Sequence, residues 1–552
     1  MLDVEERNKK YFFLVFFAGV IAQLALIFPS GLYWKGGYQF WGTHFHDGLW
    51  HLSIVQKLKY LSLENPVFAG ERIRNYHYLS DFVIALIHKM TGVSIFDIFF
   101  RIFPAFVSFL IGVLTYKLAK NLFENEISAI WSMFFVFLGS NFAFILPFLG
   151  LGNPIIETSL WVQQPISIFT NFPLSFSIPI IFGALYLLKK YLENLRIKYF
   201  LLSILLFGLA PASKSFSVIF NLSLVLVGLV RLIIKKNKDL FLAGIFSLII
   251  AFLLLSPTFK FDKHLIFKPG WFLKTMVEAP DRMNWQSFAL KYQFYKEYGD
   301  IFNLAKFYFI AFLIFFFGNL GTRVVAFFGF PGFLKLLRDE VHQVLILSLI
   351  LSLLIPMFFL TTGIAWNAIQ FVYYFLFIIG LYSGRGMSKI LLYFKKNLFK
   401  WLFSLLIILA TIPVNFYTLW FYYHRGRGPD IKIEKSRLRS LEMLLSSGSR
   451  DDVVLTFPLE KSFIEVSAFS GKSTFLGDWL MAVVPGHEYD SRFTEIKESM
   501  KSKDLFENFL NKNRIKWIYI MGEEPQILNE VHENFSLYFR EEGIIIYHVE
   551  KI

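Results

Sequence analysis

Within Trp41-Gly-Thr-His44-Phe-His46-Asp47-Gly48-Leu-Trp-His51 the chain gathers one carboxylate and three imidazoles, more groups able to move or hold a proton than any other stretch of it. Asp47 is the candidate general base. A carboxylate takes the proton of an incoming hydroxyl, or holds that hydroxyl in line, while an anionic group departs and needs little acid assistance. Gly48 beside it permits close approach. The competing reading is structural: Asp47 heads an amphipathic segment, and an Asp there caps a helix by accepting its first amide hydrogens. The two roles are compatible. His44, His46 and His51, together with His77, can orient a phosphate, bind a divalent ion with Asp47, or face lipid headgroups. The His-x-His spacing is common and few carboxylates surround it, so no cofactor is expected and a divalent metal stays an option only.

Other polar groups stand where an apolar chain has little reason to keep them. Asn75-Tyr76-His77-Tyr78-Leu-Ser-Asp81 offers hydroxyls and rings that hydrogen-bond or stack on a sugar, with Asp81 as a cap or a partner for Arg74; its tyrosines also suit plain interfacial anchoring. Glu157, in Glu157-Thr-Ser-Leu-Trp161-Val-Gln-Gln164, is the obvious second carboxylate, although loop glutamates are usually only solvated. Lys214 lies at an apex between two apolar runs, where a charge is costly unless it snorkels or is paired, and a lipid phosphate would pair it. Arg425, Arg427, His264 and Lys268 are further basic candidates for that role. Trp366, Asn367 and Gln370 open a late apolar run and suit a sugar pocket. Ser470-Gly-Lys472-Ser-Thr474 has the tail of a nucleotide-binding loop, but Val466 stands where that loop needs glycine, so the nucleotide reading is rejected.

The elements that must position these groups belong to a membrane. Of 552 residues, 55% are apolar, Phe alone accounts for 69, and only 17% are charged. Apolar residues fall in runs of about fifteen to twenty, the length that crosses a bilayer as a helix. The net charge of +14 sits in Lys and Arg clusters between those runs, which the positive-inside bias and anionic lipid explain, so nucleic acid is excluded as a partner. With no Cys there is no disulfide or thiolate site. The first run, 11–28, follows Arg7, Lys9 and Lys10 and reads as an uncleaved anchor with a cytoplasmic N-terminus, which places Asp47 outside. Further runs at 98–118, 127–149, 172–188, 199–209, 216–230, 240–255, 303–320, 344–360, 369–382 and 401–419 bring the expectation to about eleven crossings with the C-terminus outside. The segment 324–337 is either interfacial or a short extra span. Between the first two runs, Trp50, Ile54, Leu58 and Leu61, then Leu79, Val83, Leu86 and Met90, recur at helical spacing and predict two interfacial helices in a structured external loop, 30–97.

From 425 onward the composition turns ordinary. Val453-Val-Leu-Thr-Phe457, Ile515-Lys-Trp-Ile-Tyr-Ile520 and Gly543-Ile-Ile-Ile-Tyr-His-Val549 read as strands, and 502–510 and 527–539 as helices. This gives a small extracytoplasmic α/β domain over 425–552 with a largely parallel sheet, after a membrane domain over 1–424. A long first loop with an Asp just after the first span, an acidic patch after the third, about eleven crossings and an outward terminal domain resemble the GT-C superfamily of membrane glycosyltransferases. The pieces Ala468-Phe-Ser-Gly-Lys-Ser-Thr-Phe-Leu-Gly477, Ile515–Ile520 and Ile545-Ile-Tyr-His-Val549 resemble the terminal module of bacterial and archaeal relatives of that superfamily. The resemblance implies sugar transfer from a polyprenyl-phosphate donor to a glycan, lipid or protein acceptor at the outer face of the cell membrane, with Asp47 and Glu157 as the catalytic carboxylates. Glu157 has no acidic neighbour where the oligosaccharyltransferase branch carries a paired acidic motif, which puts metal dependence in doubt. A transporter or flippase accounts for the spans and Lys214 but not for a folded loop and a terminal domain; a non-catalytic assembly protein with the same fold is the other alternative.

Overall fold

The computed structural model describes residues 2–34, 36–151, 157–260, 265–329, 332–361, 366–424 and 431–550. Eight helices among them are long and apolar enough to cross a bilayer: Glu5–Ile27, Ile95–Phe123, Phe172–Asn194, Ser215–Lys235, Ile301–Gly329, Glu340–Phe358, Asn367–Tyr393 and Asn397–His424. A ninth crossing results if Glu126–Leu138 and Ala143–Leu149, bent by 60°, form one span. The chain is a multi-pass membrane protein. Two further runs expected as spans form shorter apolar helices, Ile197–Ser213 and Asp239–Leu255, of 17 residues each. At 1.5 Å per residue these reach roughly 26 Å, just short of the roughly 30 Å hydrocarbon thickness. The ambiguous stretch after residue 320 continues its span as a 3-10 turn, Gly321–Gly329, so no extra crossing arises among the described residues there.

The chain divides into two compact units. Unit 1 comprises Met1–Phe28, Pro104–Leu254 and Lys263–Arg427; unit 2 comprises Pro29–Phe103, Leu255–Asp262 and Gly428–Ile552. The segment that follows the first span therefore folds together with the C-terminal segment. In unit 2, strands β1 (Leu32–Trp34) and β2 (Gly37–Phe40) form a hairpin joined by β3 (Ile431–Glu434). Helices α1 (Asp47–Leu58) and α2 (Leu79–Thr91) follow the hairpin. The C-terminal segment contributes α3 (Lys435–Ser446), β4 (Val453–Phe457), α4 (Ile464–Ser470), β5 (Ser473–Thr474), α5 (Trp479–Val483), α6 (Tyr489–Ser499), α7 (Lys503–Lys512), β6 (Ile515–Met521), β7 (Phe535–Glu541) and β8 (Ile544–Val549).

The main sheet has the order β5-β4-β6-β8-β7. Strands β5, β4 and β6 run parallel, but β8 is antiparallel to both β6 and β7, so the sheet is mixed rather than largely parallel. The expected helix over 527–539 is confined to Ile527–Glu530, and Phe535–Glu541 is a strand. The reason is the turn: Glu542 at φ 45° and Gly543 at φ 76° close a two-residue hairpin, whose twist matches that of its flanking strands. Phe68 from the first loop packs into the same core as Leu455, Phe475, Phe509 and Ile518.

One of the two loop helices departs from the expected interfacial pair. In α1 every residue from Gly48 to Leu58 is buried, because Leu49, Leu52 and Val55 make apolar the face opposite Trp50, Ile54 and Leu58, and the buried His51, Ser53, Gln56 and Lys57 each find a hydrogen-bond partner. In α2 the helix buries Ser80, Asp81, Ile84 and Ala85 and leaves Leu86 and Met90 of its apolar stripe exposed, as an interfacial helix would.

Candidate functional site

In unit 2 the fold sends the three imidazoles of the opening stretch to three environments. His44 is buried, with its Nδ1 2.7 Å from Ser30 Oγ and its ring against Phe100. His51, on α1, places Nδ1 2.9 Å from Asp81 Oδ1 and 3.1 Å from Oδ2, with the Tyr76 hydroxyl at 3.3 Å. Asp81 is completely buried, and burial holds its carboxyl above the usual carboxylate range against the pull of His51. This pair clips α1 to α2. Asp81 thus pairs with His51 rather than with Arg74, which donates to Glu71 and to the carbonyl of Gly486.

His46 has the third environment. Its Nδ1 lies 3.1 Å from Asp47 Oδ1 and its Nε2 3.1 Å from Asp478 Oδ2. Asp478 is the N-cap of α5, and its other oxygen, Oδ1, accepts from the Met481 amide at 2.7 Å. Asp47 opens α1 as its first residue, but the N-cap is His46 and no side chain caps the helix. The capping role foreseen for Asp47 is absent; its carboxylate is engaged by His46 and is 47% exposed, whereas the Asp478 side chain is 5% exposed. Burial lowers the His46 pKa, yet the hydrogen bonds it donates to Asp47 and Asp478 outweigh it and raise the group to about 10. Burial also acts on Asp478, but His46 holds it below the usual carboxylate range. Gly48 allows a close approach as foreseen, though of protein: a Cβ there would stand 3.1 Å from the Phe100 ring.

This donor set does not suit a divalent metal. A histidine ligates through a ring lone pair, and both ring nitrogens of His46 face carboxylate oxygens that can only accept. Among the described residues no group of three or more His, Asp or Glu side chains could hold a metal ion.

The Tyr76-His77-Tyr78 turn is fixed by backbone contacts: the Asn75 amide donates to Thr258 O, Thr258 Oγ1 donates to Tyr76 O, and the rings of Tyr76 and His77 stack at 4.9 Å. Tyr78 is the N-cap residue of α2. In the stretch Ser470-Gly-Lys472-Ser-Thr474, Gly471, at φ 73°, ends α4, and the Lys472 ammonium donates to Ser449 O at 2.6 Å. In an anion-binding loop the glycine-rich turn would instead precede a helix.

In unit 1, Glu157 is buried, accepting from the Gln164 amide at 2.9 Å and from the Ser167 hydroxyl. Gln164 in turn accepts from the buried Arg323 at 2.9 Å. Gln370 accepts from Asn171 at 2.9 Å and donates to Asn367 at 3.3 Å, so Asn367 and Gln370 are brought together; the side chain of Trp366 is outside the described residues. Near them Gln163, Gln164, Asn171 and Tyr373 line a narrow cleft. Lys214 occupies the break between Ile197–Ser213 and Ser215–Lys235, as expected, and is buried with its ammonium 5.2 Å from the Phe216 ring centre. Lys268 is exposed beside the Leu265–Phe267 strand, its amide donating to Phe358 O. His264, Arg425 and Arg427 lie outside the described residues.

No protein-family model and no curated protein sequence matches the chain. Solved structures do. The Archaeoglobus fulgidus oligosaccharyltransferase tethered to an acceptor peptide containing the NVT sequon aligns with 99% of this chain and 74% of its own, at 13% identity and a TM-score of 0.52. Its complex with Zn and sulfate aligns with 97% of this chain and 73% of its own, at 14% identity and a TM-score of 0.52. The chain has the fold of an archaeal oligosaccharyltransferase. The expected multi-pass helical protein with a C-terminal domain built on a sheet is the architecture found, with eight or nine apolar spans among the described residues where about eleven were expected.

Within this oligosaccharyltransferase fold, the residue that sequence reasoning missed is Asp478. It follows directly on the quoted stretch ending at Gly477, but nothing in its spacing ties it to His46, 432 positions earlier. The Asp-Trp-Leu-Met pattern does carry a local signal, an N-cap aspartate ahead of an apolar turn. A second cluster also went unseen: His487 donates to Glu71 at 2.9 Å and receives from Asn65 at 3.0 Å, while Arg492 lies over the Phe68 ring at 3.6 Å. These contacts join the first loop to the terminal segment through polar and cation–π interactions.

Proposed function

We propose that this protein transfers a sugar from a polyprenyl-phosphate-linked donor to a glycan, lipid or protein acceptor on the outer face of the cell membrane, with Asp47 as the catalytic base. The observation that carries the reading is a half-exposed carboxylate at the head of α1 in a chain with the oligosaccharyltransferase fold. The acceptor hydroxyl loses its proton to Asp47 as its oxygen bonds to the anomeric carbon. The carbon–oxygen bond to the lipid phosphate breaks, and the phosphate leaves with the electron pair. In this reading Lys214, Lys268, His264, Arg425 and Arg427 supply positive charge for the lipid phosphate. The aromatic turn Tyr76-His77-Tyr78 and the set Trp366, Asn367 and Gln370 contact the sugar. His44 and His51 hold the loop. Glu157, implied by the resemblance as a second catalytic carboxylate, is bonded inward to the turn at Gln164 and Ser167, which supports a holding role for it beside the amide-lined cleft.

The membrane topology proposed with it counts the bent pair as one span and both shorter apolar helices as crossings, giving eleven. An odd number with a cytoplasmic N-terminus leaves the C-terminal domain outside. No nucleotide supply exists in that compartment, which favours a lipid-linked donor.

The test measures release of polyprenyl phosphate by the purified protein across a panel of lipid-phosphate sugars and acceptors. Asp47→Asn keeps the size of the side chain and removes the base, so turnover should fall by roughly a hundredfold or more with donor binding little changed. Equal turnover in the two proteins removes Asp47 from the mechanism. No release from any donor refutes the transfer reaction.

A further inference from the structure

We propose that His46 is a positioning residue, a doubly donating cation that clamps the catalytic carboxylate of Asp47 to a buried anchor, Asp478, so that the C-terminal segment aims the base. The positioning role rests on the proposed function; the clamp itself does not.

The geometry leaves the ring one protonation state. Each nitrogen stands 3.1 Å from an oxygen of a different carboxylate, and an ionised carboxylate only accepts, so both nitrogens donate. The two ring nitrogens point to opposite sides of a rigid ring, so fixing one bond direction fixes the other. The anchor end is held in place: Asp478 is buried, and its second oxygen accepts from the Met481 amide. The working end is open. Among the described residues Asp47 is held through Oδ1 alone, and no described donor engages Oδ2. One oxygen is fixed in direction while the other stays available to an incoming hydroxyl, the arrangement a base needs when a misplacement of about 1 Å costs on the order of a hundredfold in rate. The neighbouring imidazoles cannot substitute, since His44 is taken up by Ser30 and His51 by Asp81.

The clamp is tested without reference to activity. Full-length protein labelled with 15N-histidine should show, at about pH 8, one histidine with both ring nitrogens protonated, where a free imidazole is neutral. That signal should vanish in His46→Gln and become that of a neutral ring in Asp478→Asn. A neutral His46 ring in the wild-type protein overturns the clamp. Activity then tests the positioning. His46→Gln, which can donate to only one carboxylate, and Asp478→Asn should each lower kcat by roughly 10- to 100-fold with the KM for donor unchanged. The double variant should be no worse than the poorer single one, because the pair acts as a unit. Imidazole added to His46→Gly should restore part of the loss, which a purely structural role would not allow. If both single variants turn over within about twofold of wild type while Asp47→Asn is inactive, Asp47 keeps its role and the positioning claim falls. Failure of every protein, wild type included, to release lipid phosphate sinks the transfer reading and with it the positioning role, while the 15N signal still decides the clamp.

Discussion

Replacing His46 with Gln should remove stability in a way that depends on pH with a definite sign. The folded-state pKa of His46 is raised from 6.5 to about 10, so its contribution is fully present below the unfolded value, declines as the pH climbs, and is gone above about 10. At 1.36 kcal/mol per unit the displacement sets a ceiling of about 5 kcal/mol. Two hydrogen bonds to charged groups would give about 1.5–3 kcal/mol each. The one to Asp47, which is 47% exposed, is largely screened by water, and the one to the buried Asp478 is retained. The working figure is therefore about 2–3 kcal/mol. For domains of about 150–250 residues each kcal/mol moves the melting temperature by about 2–4 °C, so near pH 6 the wild type should melt about 4–12 °C above His46→Gln. Thermal unfolding of both full-length proteins in detergent, followed by tryptophan fluorescence at about pH 6, 8 and 10.5, reads the gap. It should narrow steadily and close at the highest pH, because a neutral histidine and a glutamine each donate to one carboxylate. Tyrosines and lysines that titrate in that range do so in both proteins and cancel in the difference. A gap that stays constant with pH, or widens, refutes the doubly protonated ring.

Membrane orientation is checked by an impermeant amine label on intact cells, which should modify Lys501, whose side chain is 64% exposed, and spare Lys395; the reverse pattern places Asp47 on the wrong side. Glu157→Gln should change turnover by less than about tenfold, since its inward bonds to Gln164 and Ser167 mark a support; a drop matching that of Asp47→Asn would make it a catalytic group. Gly543→Ala, at φ 76°, should lower stability by about 1–2 kcal/mol, read as an earlier melt of the terminal domain, and no loss would contradict the hairpin turn.

The apolar runs expected to span became helical, with 127–149 broken into a pair bent by 60°, because the bilayer's demand on length and apolarity is written locally in the chain. Ile197–Ser213 and Asp239–Leu255 show the limit of that rule, since their lengths fall at the margin where a short span and a buried helix share one composition. The strand at Phe535–Glu541 lies where the sequence reads as helix, and the stronger local signal there is the Glu542-Gly543 turn that pairs it with the next strand. At the candidate site the residue types were legible and the pairings were not. Nothing in the spacing of His44, His46 and His51 tells which meets Ser30, Asp478 or Asp81, because those contacts join segments that no periodicity connects. Likewise α1 carried an interfacial stripe and yet lies inside, since Leu49, Leu52 and Val55 made its other face apolar as well.

Unit 2 draws on segments at both ends of the chain, and this has a consequence for biogenesis. During synthesis Asp47 leaves the ribosome long before its anchor: His46 and Asp478 are 432 residues apart. At about 5–20 residues per second the delay is on the order of 20–90 s. Throughout that interval the first loop has no partner for the Phe68 side chain, no acceptor for the Nε2 proton of His46, and no terminal sheet to fold against. A nascent chain with every span already inserted would still lack the Asp478 anchor of His46, so completion of unit 2 waits on the last quarter of the polypeptide, even in a chain already threaded through the membrane.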